Sequence, residues 1–293
     1  MKCLLIYNKR SGRQNIVKNI DYIVSVLKTK YEVVDKKASI YDGETRDLAR
    51  EACGLYDTIV VAGGDGTLHE VVCGIGGCEQ KPKIGILPAG TINDVSRSLK
   101  ISRKLNKALK TILNGNTISH DLFKINGEYG IYASAMGLLT DISYEVNSVP
   151  KKKFGKLAYY FSIPKFIFGH KSFDMELEID GETVNQKSCL MILLNSRSVA
   201  GRKIDKTNCL NDGKAKLVIF PSKKEKIKFG EIIKIVMFFA FGMRKNTKKY
   251  KIIETSRFNL KLNAPKNLNI DGEKITSDTY KFEVLNPGIE IFC

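Results

Sequence analysis

Hydrophobic positions in the first 120 residues follow two spacings in alternation. Short, nearly continuous apolar runs predict β-strands, and the segments between them carry apolar residues at helical spacing. The predicted strands lie at 3–7, 31–34, 58–62 and 84–87, and the predicted helices at 16–27, from the N-cap Asp42 towards 53, from about 67, and after the last strand. Strands that alternate with helices indicate parallel βαβ units in an open α/β sheet.

The pattern changes after about residue 120, where turn signals separate β-rich runs. Asn-Gly and Asp-Gly pairs between apolar runs are the strongest short-range signals for a β-hairpin. Four such pairs follow: Asn126-Gly127, Asp180-Gly181, Asp212-Gly213 and Asp271-Gly272. They predict a second, mostly antiparallel β domain, interrupted by helical pieces near 157–169 and 227–243, with the tail 280–292 packed back on the first domain.

A chain of 293 residues is long enough for two ordinary domains. We therefore predict one domain at 1–120 together with 283–293, and a second domain at 121–282. The longest apolar stretch, 235–243, falls short of the ~20 residues that a membrane-spanning helix needs. The first seven residues also lack the apolar run of a signal peptide, so a cytoplasmic location is expected.

Composition adds a formal net charge of +17. This charge favours an anionic partner such as nucleic acid, an anionic membrane or a polyphosphate ligand, although a lysine-rich composition accounts for part of it by itself. No nucleic-acid recognition motif accompanies the charge, so no nucleic-acid partner is expected. The seven cysteines are scattered without a Cys-x-x-Cys pair, which predicts free thiols in a reducing compartment in preference to disulfides or a zinc site.

Residues 58–67 read Thr-Ile-Val-Val-Ala-Gly-Gly-Asp-Gly-Thr, a strand that leads through a glycine turn into a helix. Glycines let backbone N–H groups approach phosphates closely, and the start of the helix adds its positive dipole end. The segment is neither a Walker A loop nor Gly-x-Gly-x-x-Gly. An acidic residue in a phosphate loop makes sense beside Mg²⁺, which is the role we predict for Asp65. The alternative is a tight turn in which Asp65 only caps a helix.

Two further loops raise the probability of a ligand site. Residues 8–12 (Asn-Lys-Arg-Ser-Gly) follow the first strand, and residues 87–94 (Leu-Pro-Ala-Gly-Thr-Ile-Asn-Asp) follow a later one. Both loops fall at the carboxyl edge of the sheet, where open α/β sheets bind ligands. We therefore expect three loops to converge on one crevice. The simpler alternative for Asn93 and Asp94 is that they cap a helix.

In this order, the motifs resemble those of the soluble bacterial diacylglycerol kinases and of the wider lipid kinase family, which includes sphingosine and ceramide kinases. The resemblance covers nearly the whole chain and adds His120-Asp121, Asn211-Asp212-Gly213 and Asp271-Gly272-Glu273 to the three loops. It implies an α/β nucleotide-binding domain of the NAD kinase/diacylglycerol kinase type, packed on an antiparallel β-sandwich, with ATP in the cleft between them. The glycine segment alone is shared with NAD kinases, whereas Gly-Thr-x-Asn-Asp and the late Asp-Gly-Glu point to lipid kinases.

The resemblance also assigns roles to individual residues. It makes Glu273 the acceptor of the substrate proton, and Asp65, Asp94 and Asp121 an acidic network that organises a catalytic Mg²⁺ through water. From the sequence pattern alone, Glu273 is a solvated turn residue and Asp121 the start of a strand. It implies a second, structural Mg²⁺ at Asp212, aided by the carbonyls of Cys209 and Lys214. The nucleotide would contact Asn8, Lys9, Arg10, Ser11, Gly12, Arg13, Ala38, Gly63, Gly64, Asp65, Gly66, Thr67, Leu68, His69, Glu70 and Thr91.

Departures from the family pattern affect a few of these positions. Lys9 replaces a common proline, His69 a common asparagine and Ala89 a common methionine. His69 matters most, because it falls at the expected nucleotide edge. Asn211 stands where some relatives carry a second aspartate, which weakens the implied structural metal site.

The favoured function is an ATP-dependent lipid kinase that converts diacylglycerol into phosphatidic acid at an anionic membrane surface. Other acceptors (phosphatidylglycerol, a sphingoid base or a prenol), a NAD kinase-like enzyme and a non-catalytic nucleotide-binding regulator are the alternatives. Two segments are candidate membrane contacts: 150–168, where basic residues stand beside aromatic ones, and 223–228, where four lysines precede the apolar run 235–243. The alternative for each is a run of charges exposed to solvent. A homodimer is compatible with the resemblance.

Overall fold

The computed structural model describes residues 1–8, 15–41, 43–138, 140, 170–244 and 247–293. Four features named in the sequence analysis lie outside these residues: the predicted N-cap Asp42, the predicted helical piece at 157–169, the basic segment at 150–156 and the loop 9–13. The chain divides into two units. The first contains Met1–Tyr132, Asn195–Gly213 and Leu285–Cys293, and the second contains Ala133–Leu194 and Lys214–Val284.

An open parallel sheet forms the centre of the first unit. Its strands are β1 (Lys2–Asn8), β2 (Val33–Ser39), β3 (Thr58–Gly63) and β4 (Lys83–Pro88), in the order β2-β1-β3-β4. All three pairings are parallel, as the alternation of strand and helix signals predicted. The end of a long strand, β15 (Glu273–Phe292), adds a further parallel pairing to β4 between Ile291 and Ile84.

Six helices accompany this sheet in the described part of the first unit. They are α1 (Asn15–Lys18), α2 (Ile20–Leu27), α3 (Glu44–Glu51), α4 (Asp65–Ile75), α5 (Asp94–Ser98) and α6 (Leu105–Asn114). The single helix predicted at 16–27 is divided at Asn19, whose φ of −109° and ψ of 11° are not helical. Helix α2 packs against α6, and α3 packs against α4.

Two short hairpins complete the first unit. One joins β5 (Thr117–Ile125) to β6 (Glu128–Gly130), and β5 also pairs with β15. The other joins β10 (Ser198–Val199) to β11 (Arg202–Lys203). The second hairpin belongs to the segment 195–213, which the sequence placed in the second domain by its position in the chain.

The described part of the second unit is an antiparallel β structure with one long helix. Its strands are β7 (Ala133–Gly137), β8 (Phe173–Ile179), β9 (Glu182–Leu194), β12 (Ala215–Pro221), β13 (Lys251–Thr255), β14 (Arg257–Ile270) and the first part of β15. Every pairing among them is antiparallel. Helix α7 (Phe229–Phe241) matches the helical piece predicted near 227–243. Among the described residues, no helix has both the length and the apolarity to cross a bilayer.

Three of the four predicted glycine turns are hairpin turns. Asn126-Gly127, Asp180-Gly181 and Asp271-Gly272 each have two consecutive positive φ angles and connect directly paired strands. Positive φ at both positions is what a two-residue type I′ turn requires. The prediction for Asp212-Gly213 was wrong, because no paired strands flank it in the described residues and the Gly213 N–H donates instead to the Asp121 carboxylate.

The cysteine prediction also needs a correction. Cys53 and Cys78 form a disulfide, although the sequence predicted free thiols throughout. Their proximity arises from the packing of α3 against α4, because each cysteine follows the end of one of these helices and their Cα atoms are 6.3 Å apart. The other five cysteines are free.

Candidate active site

The carboxyl ends of the four parallel strands lie in a row in the first unit. Asn8 at the end of β1 is in register with Ser39 at the end of β2. Tyr7 is in register with Ala62, and Gly63 at the end of β3 is in register with Pro88 at the end of β4. The loops after β3 and β4 therefore begin side by side, and Ala38 lies one residue before the same edge. Of the loop after β1, only Asn8 belongs to the described residues.

Two glycines bring the loops after β3 and β4 into direct backbone contact. A Cβ atom added to Gly90 would lie 2.6 Å from the Cα of Gly64, closer than side chains tolerate. Beside this contact, the N–H of Ala89 donates to the carbonyl of Gly63 at 2.8 Å. The glycines are thus needed for the close approach of two chain segments.

The Asp65 carboxylate connects the same two loops. Its Oδ2 accepts the N–H of Asn93 at 2.7 Å, and its Oδ1 accepts the N–H of Asp94 at 2.7 Å. Asp65 is the first residue of α4, yet its side chain caps the start of α5, the next helix along the chain. The capping role considered for Asp65 is therefore present, but it serves a different helix.

Asn93 and Arg103 close the loop after β4. Asn93 has a left-handed backbone (φ 57°), and its side chain both accepts the N–H of Gly90 at 3.0 Å and donates to the Gly90 carbonyl at 2.7 Å. Arg103 donates to the carbonyls of Gly90 at 2.7 Å and Thr91 at 3.2 Å. Beside them is a cavity of about 290 Å³ whose lining includes Pro88, Ala89, Gly90 and Arg103. Arg103 lies nine residues beyond Asp94, the end of the recognisable motif, and no signal in the sequence indicates its role.

Asp94 is buried and points to the segment 195–213. Its Oδ1 accepts the hydroxyl of Ser198 at 2.6 Å, and its carboxylate accepts the N–H of Gly201 at 3.0 and 3.2 Å. These partners lie more than a hundred residues further along the chain. No local sequence signal marked them as part of the site.

Asp121 is fully buried and is bonded to the same segment. Its carboxylate accepts the N–H of Gly213 at 2.8 Å and the side-chain amide of Asn286 at 2.7 Å. Its backbone carbonyl accepts the side-chain amide of Asn195 at 2.8 Å. The segment 195–213 therefore contacts Asp121 at both of its ends and Asp94 in its middle, and Asp94 is held by Asp65. The three predicted aspartates thus belong to one hydrogen-bonded network.

Burial raises the pKa of all three carboxyl groups. For Asp65, loss of hydration is the largest cause, followed by the charge of Asp94, and backbone N–H donors oppose the shift. For Asp94, burial raises the pKa against the hydrogen bond from Ser198. For Asp121, burial raises the pKa against the hydrogen bonds from Gly213 and Asn286. Buried carboxylates with raised pKa values are typical of functional sites, although structural networks can produce them too.

We expect the stability difference between the wild type and Asp94→Asn to depend on pH. The pKa of Asp94 is raised in the folded state. The carboxyl group therefore contributes most to stability below its ordinary pKa of 3.8, and this stability is lost as the pH rises through the folded pKa. The free energy of unfolding of the wild type, relative to that of Asp94→Asn, should therefore be higher near pH 4 than near pH 7. Urea unfolding of both proteins measures this, with the exposed Asp278→Asn as control. An opposite trend would contradict the assigned pKa shift.

The other residues of the glycine segment differ in exposure. Thr67, Leu68 and His69 are buried, and His69 Nε2 lies 3.4 Å from the sulfur of Cys73. Gly66 and Thr91 are exposed, and Glu70 is half-buried. The exposed backbone of Gly66 lies in the first turn of α4, where N–H groups have no partner within the helix.

The predicted structural metal site adjoins this network, because the negative charge of Asp212 acts on Asp121, and the Asn286 amide that donates to Asp121 also donates to the Asn211 carbonyl at 3.1 Å. Glu273 is exposed on the second unit, where it is the first residue of β15 and pairs with Ile270. Cys209, Asp212 and Lys214 are exposed, and the Cys209 thiol donates to Asn211 Oδ1 at 3.3 Å. Within the described residues, no three His, Cys, Asp or Glu side chains converge as a metal cluster. The roles predicted for these residues stay predictions.

The arrangement has the features of a site for a phosphorylated ligand. Glycine backbone and the start of α4 supply N–H groups, and the Asp65 carboxylate joins the same loops to the hydrogen-bonded network that contains Asp94 and Asp121. Such N–H groups bind phosphate oxygens, and carboxylates can hold a divalent cation or its water ligands. This combination is suited to phosphoryl transfer.

Comparison with known proteins gives consistent matches. Residues 2–125 match the diacylglycerol kinase catalytic domain. A diacylglycerol kinase from Bacillus subtilis (strain 168) is 30% identical over 92% of this chain and 88% of its own length. One from Staphylococcus aureus (strain MRSA252) is 33% identical over 99% and 91%. The crystal structure of a putative diacylglycerol kinase from Bacillus anthracis str. Sterne superposes with a TM-score of 0.84 at 23% identity, covering 99% of this chain and 94% of that one, which supports the same fold.

Proposed function

Because the chain belongs to the diacylglycerol kinase family and is therefore a lipid kinase, we propose that it transfers the γ-phosphate of ATP to the free hydroxyl of diacylglycerol, forming phosphatidic acid. The observation that carries this proposal is the bridge from Asp65 to the backbone of Asn93 and Asp94. It orders the two glycine loops at the edge of the parallel sheet as a single unit. Phosphoryl transfer depends on this kind of fixed positioning more than on covalent chemistry by the protein.

In the proposed mechanism, the backbone N–H groups of Gly64 to Thr67 bind the phosphates of ATP. Asp65 keeps the turn in place through its hydrogen bonds to the backbone of Asn93 and Asp94. Its carboxylate would hold water ligands of Mg²⁺, and the bound metal would supply charge neutralisation of the phosphates. Asp94 and Asp121 hold the surrounding loops in register.

Glu273 is proposed as the acceptor of the lipid hydroxyl proton. Its exposed carboxylate, at the end of a two-residue hairpin turn, is accessible to a substrate. A carboxylate in this role removes the proton as the oxygen attacks the γ-phosphorus. Asp271, two residues earlier, accepts the N–H of Ala133 at 2.9 Å and so fixes the turn that carries Glu273.

The proposed partners follow from the substrate and the charge. A water-insoluble lipid is reached at a membrane surface, and a net charge of +17 favours an anionic one. We also propose a peripheral mode of membrane contact and a homodimer, and no nucleic-acid partner.

The proposal is tested by supplying radiolabelled ATP and Mg²⁺ with candidate acceptors in mixed detergent micelles. Diacylglycerol is expected to be the best acceptor, with phosphatidylglycerol, sphingosine and undecaprenol weaker and NAD inactive. If another lipid is labelled in preference, the proposed lipid kinase activity stands and diacylglycerol is replaced as the proposed acceptor. Nucleotide binding without labelling of any acceptor would overturn the proposed activity.

A further inference from the structure

Helix α7 has an apolar face that the described structure leaves exposed. Phe229, Val236 and Phe241 are exposed over 64, 60 and 66% of their surfaces, and Ile233 over 42%. Phe229, Ile233 and Val236 follow the i, i+4, i+7 spacing that places side chains on one side of a helix. Ala240 continues this side, and no charged residue falls on it. Single exposed apolar residues are ordinary, but a contiguous helix face indicates an interaction surface.

The opposite face of α7 fixes the helix to the second unit. Ile232, Ile235 and Phe238 are buried at three-residue spacing. The Phe238 ring packs edge-on against Phe220 of β12 and against Tyr250, with centroids 5.4 and 5.2 Å apart. At the start of the helix, the N–H of Lys228 donates to Glu231 at 2.7 Å. The exposed face is therefore held outward by an ordinary core contact on the other side.

Cationic residues lie at both ends of the exposed face. Before α7 the exposed side chains of Lys223, Lys224, Lys226 and Lys228 follow one another closely, and after it come Arg244 and Lys248, which are also exposed. The two acidic residues of this region have partners within the fold, since Glu225 pairs with Lys171 at 2.6 Å and Glu231 caps the helix. The surface therefore combines apolar side chains with a net positive border.

We infer that α7 docks on the surface of an anionic lipid membrane, with its apolar face among the acyl chains and its lysines at the headgroups. An amphipathic helix with this composition lies in the plane of the interface. A second copy of the chain fits less well, because pairing two such helices in either direction would bring cationic ends together. This inference rests on the proposed function in one respect, since a lipid kinase needs access to a membrane.

The absence of tryptophan from the natural chain provides a direct test. Phe229→Trp places one fluorophore on the exposed face, Phe241→Trp places one at the exposed last residue of the same helix, and Leu55→Trp places one at a comparably exposed apolar position of the first unit. Vesicles of equal parts phosphatidylglycerol and phosphatidylcholine should shift the emission of the first two variants to the blue and leave that of Leu55→Trp unchanged. Brominated acyl chains should quench the same two variants.

Charge and apolar substitutions measure the contributions to affinity. In vesicle sedimentation, Lys223→Ala combined with Lys226→Ala should weaken binding about twenty-five-fold, at about fivefold per lysine. The matched control, Lys107→Ala with Lys110→Ala on α6, removes two exposed lysines elsewhere and should change binding little. Ile233→Glu with Val236→Glu should weaken binding by about tenfold or more.

The outcomes separate the docking surface from the enzymatic proposal. The inference requires that the α7 variants lose vesicle binding while keeping wild-type activity on a short-chain diacylglycerol dispersed in detergent. Undiminished vesicle binding of the α7 variants, or their conversion from dimer to monomer in sedimentation velocity, would overturn it. If the wild type binds vesicles through α7 but phosphorylates no lipid, the docking surface stands and the proposed activity fails.

Discussion

Asp65→Ala is expected to lose nearly all lipid phosphorylation activity and to have a free energy of unfolding about 2 kcal/mol lower than that of the wild type. The loss of activity should reach about a thousandfold, because the carboxylate orders both glycine loops at once. The loss of stability follows from two backbone N–H groups, of Asn93 and Asp94, that lose a charged acceptor at the start of α5. Mixed-micelle assays with radiolabelled ATP and urea unfolding measure the two effects separately.

Asp57→Ala is the matched control for this prediction. The Asp57 carboxylate accepts the N–H of Lys2 at 2.6 Å, next to the first residues of β1 and β3, at the other end of the same sheet. Its removal should cost some stability and leave the kinase activity close to that of the wild type. If Asp65→Ala and Asp57→Ala lose activity equally, loss of folded protein explains both, and Asp65 has no special place in the site. Full activity of Asp65→Ala would remove it from the mechanism.

The strand ends and glycine loops could be predicted because their signals are local. A buried run of apolar residues, a glycine turn and a helix start determine where a strand ends, and parallel strands place their carboxyl ends on one edge. The register of Gly63 with Pro88 agrees with that prediction, because it places the last residues of β3 and β4 side by side. Similarly, an Asp-Gly or Asn-Gly pair can adopt the two positive φ angles of a tight hairpin, and three of the four predicted turns do so.

The parts that could not be predicted depend on contacts between distant residues. Asp212-Gly213 has the composition of a hairpin turn, but the N–H of Gly213 bonds to Asp121, 92 residues earlier. Ser198 and Asn286 lie in segments whose composition gives no indication that they donate to buried aspartates. The Cys53–Cys78 bond likewise depends on the packing of α3 on α4, for which the spacing of 25 residues gives no signal.

Each stage of the chain's organisation contributes a different part of the candidate site. Local sequence positions Asp65 at a glycine turn, and tertiary contact then directs its carboxylate to the next loop instead of its own helix. The segment 195–213 adds the donors that keep Asp94 and Asp121 buried. A carboxylate that is already hydrogen-bonded needs no rearrangement when a ligand arrives, and such preorganisation is the usual source of electrostatic catalysis.

Glu273→Gln is expected to lower kcat by about a hundredfold to ten-thousandfold, as loss of a general base does, with little change in the KM for ATP or in stability. The chain contains its own matched control, because Asp-Gly-Glu also occurs at 180–182, in a hairpin turn like the one at 271–273. Glu182 and Glu273 are both exposed and both follow a type I′ turn. Glu182→Gln should therefore keep full activity. Equal activities of the two variants in the mixed-micelle assay would show that Glu273 has no role as proton acceptor, since its local structure alone does not distinguish it from Glu182.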